Sequence, residues 1–524
     1  MSLYRSFTTV GGLTLVSRVL GFVRDILFAA AFGSGLVADA FNVAFRFPNL
    51  FRRLFGEGAF NSAFIPLFAK ALEGEGREAA RRFGEEAMAG LVLVVGLVSA
   101  LCMIAMPYLM FLLAPGFSAN PQKFDLAVLL TRITFPYLLS MSLVALFSGI
   151  LNSFGEFVES SSVSIILNVT LAAGLLAGFA LGFRNDPGGG ILQAAAVTIA
   201  GLLQLALLVW GMHRIGFALA LRRPRLTAGM RRLVALGVPG VVAGGVTQLN
   251  IMIGTMIASL EPGAVSQLYY ADRLYELPLA IVGIAVGVVL LPDLSRQLKA
   301  HDEVAAMDSQ NRSAEFAMLL TVPAALALAV VPRPIVSVLF ERGAFTAADS
   351  QATAAALALF ALGLPSFVLI KVFSPAYFAR EDTRTPMRYA GISLTVNTLL
   401  SLALFFCFRA LGMRPQLGIA LATTLGGWLN TGLLVRTLLR RGHFVPDARL
   451  TRTLPRIVFS SVTMAVALYL GAELLEPLLL GDAGLWRRAI GLGALLAAGF
   501  LAYCVAVLGS GALEIRQLRR LVRR

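Results

Sequence analysis

The chain is a succession of apolar blocks, each of about twenty residues or more, divided by mostly short connections. That pattern limits what it can become more than any motif does. A helix rises about 1.5 Å per residue, so blocks of this length cross a hydrocarbon core of roughly 30 Å. Hydrophobic residues make up 58% of the 524 and charged residues 14%, more apolar side chain than a soluble domain of this length can bury. Glycine (50) and proline (22) are scattered through the blocks, which membrane helices tolerate. The expected fold class is an all-α polytopic membrane protein of about fourteen transmembrane helices. Their expected spans are 7–32, 38–70, 85–114, 124–152, 158–183, 190–213, 231–260, 266–295, 312–340, 348–379, 386–409, 415–439, 454–476 and 485–508. The first block carries Arg18, Arg24 and Asp25 and lacks a clean small-residue cleavage site, so it does not read as a cleaved signal. Cys102, Cys407 and Cys504 lie far apart in apolar segments and read as small hydrophobes.

A net charge of +15 would suggest a nucleic-acid partner in a soluble protein. Here much of it falls in every second connection: Arg77, Arg81 and Arg82; Arg214, Arg222, Arg223 and Arg225; Arg296 and Lys299; Arg380, Arg384 and Arg388; Arg440 and Arg441; and the tail. By the positive-inside bias both termini are then cytoplasmic, and no nucleic acid is called for. A faint echo at a shift of about 226 residues lays Ile65-Pro66-Leu67 on Leu291-Pro292-Asp293. It divides the chain into an N-lobe over 1–225, a C-lobe over 226–445, each of six helices, and a terminal pair with a basic tail over 446–524. Transporters built from such parallel halves place a site between them. The basic linker 214–232 reads either as an interfacial amphipathic helix or as a solvated loop.

The remaining charge sits at membrane depth, where ionisable groups are costly and face a cavity or a partner. Arg18, Arg24 and Asp25 flank Gly21 in the first span. In the second, Asp39, Asn42, Arg46, Asn49, Arg53 and Glu57 recur at spacings of three or four, with Arg52 beside them and Pro48 among them. Such a stripe cannot face lipid. Guanidinium stays charged in any surroundings and offers a planar fork of donors matching phosphate oxygens. Arg18, Arg24, Arg46, Arg52 and Arg53, with Asp39 and Asn49, are therefore the candidate anion site, and Asp25 and Glu57 are candidates for a gating or ion-pair network. A second group, Tyr269, Asp272, Arg273 and Glu276, nearly balances itself and reads as a gating ion-pair network or a substrate contact. Lys371, alone in an apolar run, fits a gate pairing or an anion contact. Gln248, Asn250 and Asn397 are candidate cation ligands or interhelical hydrogen-bonding amides.

Three stretches resemble the MurJ (MviN) family of lipid II flippases, in the multidrug/oligosaccharidyl-lipid/polysaccharide exporter superfamily. They are Ser17–Asp25, the run Phe47-Pro48-Asn49-Leu50-Phe51-Arg52-Arg53-Leu54-Phe55-Gly56-Glu57, and Tyr269–Pro278. Lys371 with Ala376-Tyr377-Phe378-Ala379-Arg380 resembles the end of that family's tenth helix. The resemblance implies a multi-pass protein of the bacterial inner membrane that serves peptidoglycan synthesis, cell wall biogenesis and cell shape. Its substrate would be an undecaprenyl-diphosphate-linked disaccharide-pentapeptide, and cell-wall synthesis machinery would be a partner. The resemblance also implies functional roles for Arg18, Arg24, Asp39, Arg52, Arg53, Arg273 and Glu276, and a lipid-tail groove on the last two helices. Some members of the family that the chain resembles bind sodium through an acid on the seventh helix. Here Gln248 and Asn250 stand there with no mid-helix acid, so sodium and membrane potential both remain as driving force and no cofactor is called for.

The alternative reading is an exporter of another polyprenyl-linked glycan, or an ion-coupled exporter of the same superfamily. A cationic-drug exporter would want acids and aromatics rather than surplus arginine. A membrane glycosyltransferase would want an acid cluster at depth, which the sequence lacks.

Overall fold

The computed structural model describes residues 3–56, 59–479 and 484–513. Among the described residues the apolar blocks are helical. In chain order the helices are α1 (Leu3–Phe32), α2 (Leu36–Gly56), α3 (Ala59–Gly74), α4 (Arg77–Ile104), α5 (Met106–Leu113), α6 (Pro121–Thr134), α7 (Pro136–Ser153), α8 (Val158–Ala180) and α9 (Pro187–Arg214). There follow α10 (Ala228–Ala258), α11 (Ala264–Lys299), α12 (Glu303–Val330), α13 (Pro332–Phe340), α14 (Ala347–Phe378), α15 (Arg384–Ala410), α16 (Gln416–Arg440), α17 (Ala448–Leu474), α18 (Glu476–Leu479) and α19 (Leu485–Gly509). Among the described residues, ten helical stretches are long and apolar enough to cross a membrane: α4, α6 continued by α7, α8, α9, α12, α14, α15, α16, α17 and α19. The chain is an all-α polytopic membrane protein.

Several blocks expected as single helices are divided, and proline places most of the breaks. Pro107 and Pro136 follow the interruptions at Ala105 and Phe135, and Pro332 follows the one at Val331, each in the first turn of the new helix. There its missing N–H is no loss, whereas within a helix its ring opposes the preceding turn. Other starts are capped by side chains. Asp186, Thr227 and Asp447 accept from the N–H of Gly188, Met230 and Leu450, and Thr346 with Asp349 forms a reciprocal capping box.

The basic linker is not a helix: residues 217–227 are non-helical and α10 opens at Ala228. Its backbone is held down by an acid. Glu85 of α4 is buried, accepts the Ala220 N–H at 3.1 Å and pairs with Arg222 at 2.5 Å. Arg77 and Arg81 stack their guanidinium groups over the Phe217 ring at 6.0 and 5.7 Å. A segment fixed at several points by a helix beneath it gains little from coiling on its own.

Two compact units make up the chain: Met1–Ser266 with Arg342–Phe345, and Gln267–Glu341 with Thr346–Arg524. In the first, α1 packs on α8, α2 on α6 and α7, and α10 on α3. The turn at Arg342–Phe345 lies against the end of α1, Ala344 N–H donating to Ala30 O at 2.9 Å. Gly33 and Gly343 make this approach possible. Both have positive φ, and an added Cβ would meet Ala344 O at 2.4 Å and Ala30 O at 2.3 Å respectively.

The second unit is tied by hydroxyl-to-carbonyl bonds between helices. Thr424 and Thr431 of α16 donate to Leu359 and Ser366 of α14 at 2.7 and 2.9 Å, and Tyr377 of α14 donates to Leu434 of α16 at 2.7 Å. Small and hydroxyl side chains allow this closeness where no hydrophobic effect drives helices together. Tyr503 of α19 donates to Leu319 of α12 at 2.6 Å. Arg312 bonds both Glu315 and Asp447, and Arg449 meets Glu315 at 2.9 Å, which ties the start of α17 to α12. Outward-facing Val458, Phe459, Val462, Val466 and Leu470 leave α17 an exposed apolar face suited to lipid.

After α14 the turn is clipped by Asp382, which accepts from Arg441 at 2.7 Å and from the Thr385 hydroxyl at 2.7 Å. The Arg441 and Thr385 hydrogen bonds lower its carboxyl from an ordinary 3.8 to about 2. A depressed carboxyl stabilises fully above its unfolded value and loses that contribution as pH falls through the folded one. D382N should therefore melt below the parent at neutral pH in detergent. The gap should close as pH falls from about 4 to about 2; a gap independent of pH would contradict the clip.

Candidate functional site

The charged residues of α1 and α2 are placed by polar contacts that most of the apolar sequence does not advertise. On α1, Arg24 and Asp25 are both buried. Arg24 Nη2 and Nε meet Asp25 Oδ1 at 2.6 and 3.1 Å, while Nη1 donates to Asn168 Oδ1 of α8 at 3.0 Å. Asn168 returns its amide to Ser17 O at 2.9 Å, one helical turn and more back along α1. Gly21 permits the crossing, since a Cβ there would stand 3.3 Å from the Asn168 amide nitrogen. Arg18, by contrast, is exposed and has no partner among the described residues.

Asp39 has no exposed surface, and its carboxylate is fully engaged. Oδ2 accepts from Lys123 Nζ at 2.5 Å and Gly263 N–H at 2.9 Å; Oδ1 accepts from Ser266 N–H at 2.9 Å and Ser266 Oγ at 2.6 Å. Asn42, one turn on, donates to the same Ser266 Oγ at 3.2 Å. Lys123 is itself buried and lies over the Phe117 ring at 4.2 Å. Asp39, expected to meet a head group, thus anchors α2 to α6 and to the segment that opens α11. Further along α2, Arg46 reaches α10, bonding Thr255 Oγ1 and Ile251 O at 3.3 Å. Asn49 is partly buried. Glu57 lies outside the described residues, as do the side chains of Arg52 and Arg53.

The second group belongs to the other unit. Arg273 pairs with Glu276 at 3.2 Å and stacks over Tyr269 at 5.1 Å, and Asp272 is partly buried beside them. Lys371 of α14 is exposed, with its aliphatic end laid across Gly283 of α11. Asn397 of α15 is buried, accepts from Ser401 at 3.4 Å and packs on Gly426, an interhelical setting. Gln248 and Asn250 on α10 are partly buried. No group of three or more His, Cys, Asp or Glu among the described residues is placed to hold a metal ion.

The sequence reading passed over Lys123, Asn168, Ser266 and Gly283. Lys123 falls in the first turn of its helix, after Asn120-Pro121, where a charge resembles an ordinary loop residue. Asn168 is a single amide in an apolar run, the same signal that drew attention to Asn397.

The sequence profile of the family described as "Lipid II flippase MurJ" matches residues 28–483. A "Probable lipid II flippase MurJ" of Rhizobium meliloti is 46% identical over 525 residues, covering 100% of this chain and 97% of the relative. The chain belongs to the MurJ family. A second MurJ relative, from Burkholderia cenocepacia, is 35% identical and covers 89% of each chain. Among solved structures, "Lipid II flippase MurJ, inward closed conformation" matches with a TM-score of 0.77 at 25% identity, covering 95% of this chain and 97% of that one. A multidrug MATE-family transporter in an inward-facing conformation matches at a TM-score of 0.66 and 13% identity, which shows the shared fold alone. The MurJ profile begins at residue 28 and so does not cover Arg18 and Arg24.

Removing one partner from a buried ion pair leaves an uncompensated charge and costs about 3–5 kcal/mol. K123M should therefore lower the melting temperature of the detergent-solubilised protein sharply, and D39N added to it should recover most of the loss. K123M as stable as the parent would contradict the anchoring role of Asp39.

Proposed function

We propose that this MurJ-family protein flips undecaprenyl-diphosphate-linked peptidoglycan precursor, lipid II, from the cytoplasmic to the periplasmic leaflet of the bacterial inner membrane. It acts as a transporter and makes or breaks no covalent bond. The observation that carries this reading is the charge balance around α1 and α2. Arg18, Arg24, Arg46, Arg52, Arg53 and Lys123 are six cations against the three acids Asp25, Asp39 and Glu57. Asp25 is engaged by Arg24 and Asp39 by Lys123. By count, then, cations outnumber acids around α1 and α2 even before Lys123 is added, five against three. A positive surplus at membrane depth is stable only against an anion or water, and a diphosphate supplies that anion in a form that guanidinium binds through paired hydrogen bonds. The prenyl chain can stay in lipid while the head group crosses.

The mechanism follows as alternating access. The head group enters from the cytoplasmic side, the arginines take the diphosphate, and the two six-helix halves rock to release it outward. Gly21 and Pro48 are the flex points, with about fourteen spans, cytoplasmic termini, and Asp272, Arg273, Glu276 and Lys371 contributing from the second half. Asp39 serves by holding α2 in place rather than by touching the substrate. Gln248 and Asn250 offer neutral oxygens in place of the acid that sodium would favour, and sodium and membrane potential both stand as the drive.

Charge-assisted hydrogen bonds are each worth about 1.5–3 kcal/mol, roughly ten- to hundred-fold in rate when lost from a transition state. R24A and R52A, in protein that still reaches the membrane, should each lower outer-leaflet delivery of the precursor by at least that factor. Normal delivery in both would contradict the arginine site.

A further inference from the structure

Tyr275 of α11 lies against Phe360 and Phe367 of α14 at ring-centroid distances of 5.2 and 5.8 Å. Further along both helices the aromatic contact gives way to a different one. Lys371 follows Phe367 by one turn, and its side chain crosses α11 at Gly283. A Cβ built on Gly283 would stand 2.6 Å from Lys371 Nζ, 2.8 Å from Cδ and 3.2 Å from Cε. The missing side chain of Gly283 is thus the space that the end of Lys371 occupies. Gly283 itself is buried while Lys371 is exposed, so the glycine sets where the lysine lies without covering it.

The direction this gives the lysine is functional. A lysine side chain has four rotatable bonds and loses about 2 kcal/mol of rotamer freedom when fixed. An ammonium at membrane depth is also costly beside lipid. Gly283 lies seven residues beyond Glu276, on the same face of α11 as Tyr269 and Glu276, about 10 Å further along the helix. The Lys371 ammonium is thereby carried onto the face that bears the Arg273–Glu276 pair, in line with it.

We propose that Gly283 is a positioning residue for transport: it holds the Lys371 ammonium in line with Arg273 as a second cationic contact for the anionic head group. This rests on the flippase reading above. The chemistry recognised is a phosphate or carboxylate oxygen of the moving head group, to which an ammonium offers a point charge.

The atom an alanine would meet is the far end of a flexible chain, so G283A should displace the lysine and leave the helices packed. Outer-leaflet delivery of the precursor should be measured for G283A, K371A, G283A/K371A and R24A, each normalised to protein in the membrane; G283S replaces G283A if the latter does not accumulate. The proposal expects G283A and K371A each to fall about ten-fold, roughly the worth of one charge-assisted contact, and the double variant to fall no further than K371A. Independent packing damage at Gly283 would instead multiply with K371A. Normal delivery in G283A, or a multiplicative double variant, overturns the positioning role. Normal delivery in K371A overturns the lysine contact, and loss in R24A alongside it shows that the flippase reading survives. Normal delivery in all four removes both.

Discussion

A carboxylate with no exposed surface must be answered by donors, and at Asp39 that requirement is met at every lone pair that matters. One cation, two backbone N–H groups and one hydroxyl converge on it from α6 and from the segment around Gly263 and Ser266. Since each donor comes from a different stretch of chain than α2, satisfying the charge fixes where α2 stands. The arginines carried further along the same helix inherit that placement. A buried acid of this kind is a poor source of net stability but an effective means of specifying one arrangement.

The same rule recurs at the ends of the helices. Glu85, Glu159 and Glu315 are buried acids, and each meets an arginine of a basic connection: Arg222 at 2.5 Å, Arg214 at 2.7 Å and Arg449 at 2.9 Å. The positive bias of these connections is thus more than a sorting signal, because individual arginines pin loops to the helices beneath them. Arg488 does similar work on α19, donating to Leu479 O at 3.0 Å and bonding Ser337 and Glu341. On α1 the pairing is internal, Arg24 meeting its neighbour Asp25 at 2.6 Å.

Much of this was legible in the sequence. Apolar block length gives the helices, and the three- and four-residue spacing of Asp39, Asn42 and Arg46 marks residues that the structure places against α6, α10 and Ser266. The divided blocks were less legible, because hydropathy does not distinguish a proline that starts a new helix, as Pro136 does, from one carried inside, as Pro48 is. Role was harder still to read than position. Asp39 reads as a substrate contact in the sequence, where nothing signals its partner Lys123, 84 residues away. Gly283 carries no signal at all, because what matters there is the absence of a side chain against a lysine on another helix. The linker 214–232 reads either as an amphipathic helix or as a solvated loop, and the contacts with Glu85, Arg77 and Arg81 that hold its non-helical part lie outside its own sequence.

The central claim is that the arginine surplus exists to move an anionic lipid-linked precursor between leaflets. Its most direct test is depletion of the protein in its own bacterium, followed by measurement of how much lipid-linked peptidoglycan precursor can be reached from outside the inner membrane. The account predicts that total precursor rises while the externally reachable fraction collapses. A normal reachable fraction after depletion, in cells with no second flippase, would contradict it and assign the arginine site to a different anionic lipid.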